Sequence, residues 1–182
     1  MPELPEVETV VRTLEHQLDH VTITGCYVFW DNIIAYPDVK AFCDTITGKT
    51  IQGYHRHGKY MRFDLGDVEW ICHMRMEGKF YVQQPEDAYD KHVHVILKLS
   101  DGRQLRYHDT RKFGKMYLYE KQKDYAAYPC FQHIGYDAFD ERITADWLYK
   151  KLHKKKTALK AVLLDQSIIA GIGNIYADEI CF

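Results

Sequence analysis

Residues 92–108 read HVHVILKLSDGRQLRYH. Val93, Val95, Leu97 and Leu99 alternate with His92, His94, Ile96 and Lys98, the period of an extended strand with one apolar face. Asp101-Gly102 is a good two-residue hairpin turn, and 103–108 resumes as a second strand. Segments near 21–30, 51–56, 59–65, 68–73, 79–83 and 115–119 share this character: short, and rich in β-branched and aromatic residues. Gly66-Asp67 and Glu77-Gly78 mark further turns. Many short strands separated by turns predict a sandwich or barrel, interrupted by a short helix near 39–46.

Upstream, Val7, Val10, Val11, Leu14 and Leu18 make one helical stripe. Pro5 suits a first helical turn, and Glu3, Glu6 and Glu8 suit the positive end of a helix dipole. Downstream, Pro129 and Gly135 mark a connecting segment. Residues 144–153 and 157–166 read as helices, with Trp147, Leu148, Leu152, Leu159, Val162 and Leu163 expected to be buried. Gly171 and Gly173 break the pattern, and Asn174 is read as the cap of a third helix from Ile175 onward. The expectation is an α+β chain. Residues 1–123 are read as an N-terminal helix plus a β-domain, sandwich or barrel, and 124–182 as the start of a helical domain. That domain is expected to be incomplete, because the third helix meets no stop signal before Phe182.

The chain has 182 residues, of which 46% are hydrophobic and 27% charged, an ordinary globular mixture. It contains no run of 18 apolar residues and no apolar segment near MPELPEVE, which excludes a transmembrane helix and gives no sign of a secretory signal. Five Cys (26, 43, 72, 130 and 181) form no C-x-x-C pair, which argues for reduced, cytosolic thiols and against a disulfide scaffold or Cys-based zinc knuckle. The net charge of −2 speaks against a partner of phosphates, but the average hides a division. Residues 1–48 carry 2 basic and 8 acidic side chains; residues 49–123 carry 15 and 10, together with six of the ten His; residues 124–182 carry 7 and 8. The middle segment can face a polyanion, although on charge alone an uneven solvated surface is the preferred reading.

Pro2 carries the most chemistry. Removal of Met1 leaves a free secondary amine, and an α-amino group titrates near ~8, well below a lysine. Attack of that amine on an aldehyde-like carbon yields an iminium, a covalent electron sink. Glu3 is adjacent for proton transfer and Glu6 lies one turn on. His92-x-His94 and His55-x-His57 place imidazole pairs on a strand, but neither has an evident third ligand for a metal.

Five blocks of this sequence, in order, resemble the formamidopyrimidine-DNA glycosylase family. They are Pro2-Glu3-Leu4-Pro5-Glu6-Val7-Glu8-Thr9; His57-Gly58-Lys59-Tyr60; His73-Met74-Arg75-Met76-Glu77-Gly78-Lys79-Phe80; Asp109-Thr110-Arg111-Lys112-Phe113-Gly114; and Lys156-Thr157-Ala158-Leu159-Lys160 running on to 170–179. The resemblance implies an N-terminal helix plus a two-sheet antiparallel β-sandwich in residues 1–123 and the start of a helix-two-turn-helix domain in 124–182. It implies excision of oxidised purines such as 8-oxoguanine and formamidopyrimidines from damaged double-stranded DNA, followed by β- and δ-elimination. It implies Pro2 as nucleophile on C1′ and Glu3 as general acid/base, with Glu6 and Lys59 beside them and Lys59 gripping phosphate. Met76, Arg111 and Phe113 fill the gap left by the extruded nucleotide, a role that suits a flexible apolar wedge, a hydrogen-bonding guanidinium and an unstacking ring. His73 and His92 approach the DNA backbone, Lys160 lies near the lesion pocket, and Asn174 and Tyr176 belong to a helix-two-turn-helix that offers amides to phosphates.

The resemblance further implies a four-Cys zinc finger, with one zinc ion, and a lesion-reading loop beyond residue 182. With no metal ligands read in these residues, a fragment of this kind is expected to bind DNA poorly, to show little base excision, and to expose apolar surface. The full-length protein is expected to be a monomer in a bacterial-type cytoplasm, with no membrane partner. An endonuclease VIII-like glycosylase for oxidised pyrimidines, or a non-catalytic DNA-binding remnant, are the alternatives. Leu4 and the Asp109–Gly114 block favour the purine branch.

Overall fold

The computed structural model describes residues 1–182. Helix α1 (Leu4–Gln17) has proline in its first turn, where a missing N–H breaks no helical bond. It buries Leu4, Val7, Val11 and Leu14, and Leu18 just beyond it is fully buried. Strand β1 (Ile23–Val28), a 3-10 turn (Asp31–Ile33), β2 (Ile34–Tyr36) and α2 (Val39–Ile46) follow. The Asp38 side chain caps α2 by accepting from the Ala41 N–H at 2.8 Å. Then come β3 (Gly53–His57), β4 (Tyr60–Asp64), β5 (Val68–His73), β6 (Lys79–Gln83), β7 (Val93–Leu99), β8 (Gln104–His108) and β9 (Lys115–Glu120). After two short 3-10 turns the chain forms β10 (Tyr136–Asp137), α3 (Ala145–Leu152), α4 (Leu159–Leu163), β11 (Ile169–Ala170) and α5 (Asn174–Cys181). No helix is long and apolar enough to cross a membrane.

One sheet has the order β1-β7-β8-β6 and is antiparallel throughout. The other has the order β2-β9-β5-β4-β3. It is antiparallel except at its edge, where β2 runs parallel to β9, so the two-sheet antiparallel sandwich is found with one parallel pair at its rim. Both sheets and helices α1 and α2 contribute to a single core that includes Val11, Phe42, Met61, Phe63, Trp70, Leu97, Leu105 and Tyr107. Each such aliphatic or aromatic side chain contributes about 1.5–3 kcal/mol by leaving water. Two small clusters lie outside it: Ile71, Tyr128 and Phe131, and then Leu163, Ile169, Ile172 and Ala177 around α4 and α5.

The sandwich meets the segment after β9 through the Ile71, Tyr128 and Phe131 cluster and through a polar bridge. Arg56 on β3 donates to Glu8 of α1 at 2.7 Å, and its guanidinium also grips Asp137 on β10. Asp137 in turn accepts from the Gly58 N–H at 2.7 Å. Burial alone raises the Asp137 pKa, but the Arg56 hydrogen bond and the amides of Gly58 and Phe139 outweigh it and hold the carboxylate ionised.

Several local expectations are corrected. The alternation in 92–99 fails at its start: a register shift lies between Val93 and Val95, and His94 is buried with its Nε2 2.7 Å from the Asp109 carbonyl. The expected helix over 157–166 is only Leu159–Leu163, and Leu159 is exposed rather than buried. Trp147, Leu148 and Leu152 are half-buried, since the helical segment offers α3 only a thin layer to pack on. Thr144 caps α3 by accepting from the Trp147 N–H.

Candidate active site

The site forms where the start of α1 meets the start of α5. The Leu4 N–H donates to the Gly171 carbonyl at 3.0 Å, which fixes the first residues against the loop before α5. Glu3 is 3% exposed. Its carboxylate accepts from the backbone N–H groups of Gly173, Ile175 and Tyr176 at 2.9, 2.8 and 3.2 Å. These are the donors that a helix N-terminus leaves free, and they sit at the positive end of the α5 dipole. The cap of α5 is therefore a carboxylate from the other end of the chain. Asn174, expected as the cap, is the first helical residue and is exposed, while Gly173 holds the cap position without a side-chain bond. Gly173 is required there, because a Cβ would collide with the Glu3 carboxyl group.

Glu6 accepts from the Glu3 N–H at 3.0 Å and from the Tyr176 hydroxyl at 3.1 Å. That second bond raises the Tyr176 phenol pKa above its ordinary value. Lys59 follows Gly58 in the two-residue β3–β4 turn and is 5% exposed. Burial lowers its ammonium pKa, and the nearby Glu3 charge partly opposes that. Pro2 is half-buried beside Glu3. Pro2, Glu3, Glu6, Lys59 and Tyr176, drawn from three distant parts of the sequence, thus converge on one site, with Asn174 at its rim.

Beside this centre a cleft of about 330 Å³ is lined by Met1, Arg75, Met76, Phe113 and Lys115. Met76 and Phe113 are 40% and 48% exposed at the tips of two loops, where an apolar side chain gains nothing by folding. The Arg111 guanidinium lies 5.0 Å from the Phe113 ring centroid. Arg75 and Lys112, one in each loop, are held in the left-handed region with φ 55° and 58°. Burial pushes the His73 imidazole down to about 3, helped by the charges of Arg75 and Lys59. Its Nδ1 accepts from the Arg75 N–H at 3.0 Å, so the neutral ring carries its proton on Nε2, a donor suited to a phosphate oxygen. His57 is buried against Tyr125 and Phe131, and burial lowers its pKa.

Two expected residues lie apart from these contacts. Lys160 ion-pairs with Asp178 at 2.5 Å and so ties α4 to α5. His92 precedes β7, with its ring 5.7 Å from that of His108. The sequence reading missed Asp109, which is fully buried. Its carboxylate accepts from the N–H groups of Arg111, Lys112 and Gly114 at 3.1, 3.1 and 2.9 Å. An Asp opening a short polar run that ends in Gly is the signal that could have revealed it. No group of three or more His, Cys, Asp or Glu is placed to bind a metal in these residues.

Residues 1–116 match the model of the formamidopyrimidine-DNA glycosylase N-terminal domain, and residues 134–182 that of the formamidopyrimidine-DNA glycosylase H2TH domain. Over its whole length the chain is 44% identical to the formamidopyrimidine-DNA glycosylases of Bacillus licheniformis and Bacillus subtilis, and it spans 66% of the length of each. The structure of Lactococcus lactis formamidopyrimidine-DNA glycosylase bound non-covalently to DNA with an AP site superposes with a TM-score of 0.90. That match has 36% identity and covers 98% of this chain and 68% of that one. The same organism's enzyme in complex with DNA containing FAPY-dG gives 0.86 at 37% identity, covering 98% and 66%. Matches of this identity along the whole chain make it a member of the formamidopyrimidine-DNA glycosylase family.

Proposed function

We propose that this chain is the Pro2-bearing part of a bifunctional DNA glycosylase and AP lyase that removes oxidised purines from double-stranded DNA. The observation that carries the reading is Glu3, buried on three amides of α5 directly beside Pro2. A carboxylate so placed is preorganised, and its neighbour Pro2 becomes a nucleophile once Met1 is removed. The amine attacks C1′ of the damaged nucleotide, and the base departs with the glycosidic electron pair and a proton. Opening of the sugar ring, assisted by Glu3, leaves an iminium between Pro2 and C1′. The iminium acidifies the C2′ proton, so its removal expels the 3′ phosphate, and the second elimination expels the 5′ phosphate.

In this reading Met76, Arg111 and Phe113 occupy the space of the extruded nucleotide, and Lys59 and the Nε2–H of His73 hold phosphates. His92, Asn174 and Tyr176 extend the DNA surface, and Lys160 supports α5 from its rim. The functional division falls near residue 123, with DNA lying across both parts, and the setting is the bacterial cytoplasm. Duplexes carrying 8-oxoguanine, a formamidopyrimidine or an oxidised pyrimidine, incubated separately with excess protein, test the lesion class. The chain binds DNA weakly in this reading, so slow single-turnover nicking is expected, of the purine lesions first and with phosphate on both new ends. Preference for the pyrimidine lesion, or an intact sugar remnant on the 3′ end, overturns it.

A further inference from the structure

Three features of the loops that flank the cleft have no part in the chemistry above. First, Tyr107 is 1% exposed, and its hydroxyl lies 3.3 Å from Asp109 Oδ2. Second, Gly78 and Gly114, which close the two loops, both press on that hydroxyl. A Cβ at either position would collide with it. Third, the Thr110 hydroxyl donates to the Glu77 carboxylate and so links the loops again at their surface. Asp109 spends every acceptor of its carboxylate on this arrangement: Oδ1 on Arg111 and Lys112, Oδ2 on Gly114 and Tyr107. Its backbone is fixed as well, through the His92 carbonyl at 2.9 Å and His94 Nε2 at 2.7 Å. A buried carboxylate with four donors has one orientation, and a loop built on it has one shape.

We propose that Asp109 and Tyr107 are positioning residues that lock the Met76 loop and the Arg111–Phe113 loop into one rigid wedge. Extrusion of a nucleotide from a duplex then depends on them, while the amine chemistry of Pro2 does not. The inference rests on the gap-filling role proposed for Met76, Arg111 and Phe113. Coupling matters because the three side chains must enter one gap together: two loops that fluctuate separately present the wedge only for the fraction of time that both are in place. The Glu77–Thr110 link is exposed and is the weaker of the two connections.

The test uses Tyr107→Phe, which removes one oxygen atom, and Asp109→Asn, which keeps the shape but turns an N–H group toward a donor. Borohydride trapping is read on an abasic site in a duplex and on the same site in a single strand, where nothing needs to be unstacked. Loss of one buried hydrogen bond predicts a fall of roughly tenfold on the duplex for Tyr107→Phe, and more for Asp109→Asn, with single-strand trapping within about twofold of the parent. Equal losses on both substrates, or no loss on the duplex, overturn the proposal. Amide hydrogen exchange on the DNA-free chain decides the matter independently of any activity. Faster exchange at 75–78 as well as at 110–114 in either variant supports the coupling, whereas faster exchange confined to 110–114 overturns it. Glu77→Gln, at the surface, gives the same two-loop signature in smaller measure, should Asp109→Asn fail to fold. A parent chain that traps on neither substrate refutes the Pro2 chemistry, and the exchange pattern then decides by itself whether the two loops move as one.

Discussion

Replacing Glu3 by Gln tests whether the catalytic candidate is also the cap of α5. Active-site substitutions usually leave stability unchanged or raise it, because functional groups are placed against their own interest. Here the opposite is expected. The carboxylate takes three amide hydrogen bonds at 2.8–3.2 Å in a position that is 3% exposed, so solvent screening does not dilute them. Gln retains one oxygen able to serve two of those donors at best, and sets its own NH2 against the third. Loss of an N-cap costs about 0.5–2 kcal/mol, and the charge at the helix dipole adds about 0.3–1. One buried N–H left unsatisfied adds about 1–3. These overlap, which leaves an expected loss of about 2–4 kcal/mol. For a chain of this size that is a fall in Tm of roughly 5–12 °C. Calorimetry of the parent and Glu3→Gln at neutral pH measures it, with the exposed Glu6→Gln as a control that shifts Tm much less. An unchanged or raised Tm in Glu3→Gln refutes the capping role.

Acid should weaken the fold through His73. Its folded pKa, about 3, lies below the ordinary histidine value, so between roughly pH 6.5 and 3 the unfolded chain binds the extra proton and stability falls as pH falls. His73→Asn should flatten the dependence of Tm on pH across that window; an unchanged slope contradicts the burial argument. Arg56→Lys cannot serve Glu8, Gly58 and Asp137 at once, so a loss of about 2–3 kcal/mol and faster proteolysis between β9 and α3 are expected, and resistance equal to the parent counts against the polar bridge. Gly114→Ala drives a methyl group into the Tyr107 hydroxyl and should cost about 1–3 kcal/mol in urea titration, where a neutral result shows that the loop has room. An uncleavable N-terminal extension before Pro2 should abolish borohydride trapping, and adduct formation by the extended chain assigns the chemistry to another amine.

The sandwich is legible because its strands state their period locally. Residues 68–73 and 79–83 are strands at the boundaries read from the sequence, and 39–46 is the expected helix. Strand β2 is not legible: three residues in a parallel edge pair have no alternation to read. The alternation puts His94 on a polar face because a bulge cannot be seen in a period. At the site, Pro2 announces its chemistry through an elementary property, the pKa of a secondary α-amine. Glu3 announces only proximity. Its amide partners lie about 170 residues away, so a local capping rule assigns the start of α5 to Asn174 instead. Asp109 stays hidden for the related reason that its side chain serves backbone groups, and backbone groups look alike in any sequence.

The proposed chemistry stands on the α-amine of Pro2 as the nucleophile. The most direct measurement is borohydride reduction of the chain, with Met1 removed, on a duplex carrying one abasic site, followed by digestion and mass spectrometry of the cross-linked peptide. A single adduct on the N-terminal peptide is expected, with the added mass on the Pro2 nitrogen and lost on blocking that amine. An adduct on Lys59 or Lys160, or a trapped yield indifferent to the state of the N-terminus, contradicts it.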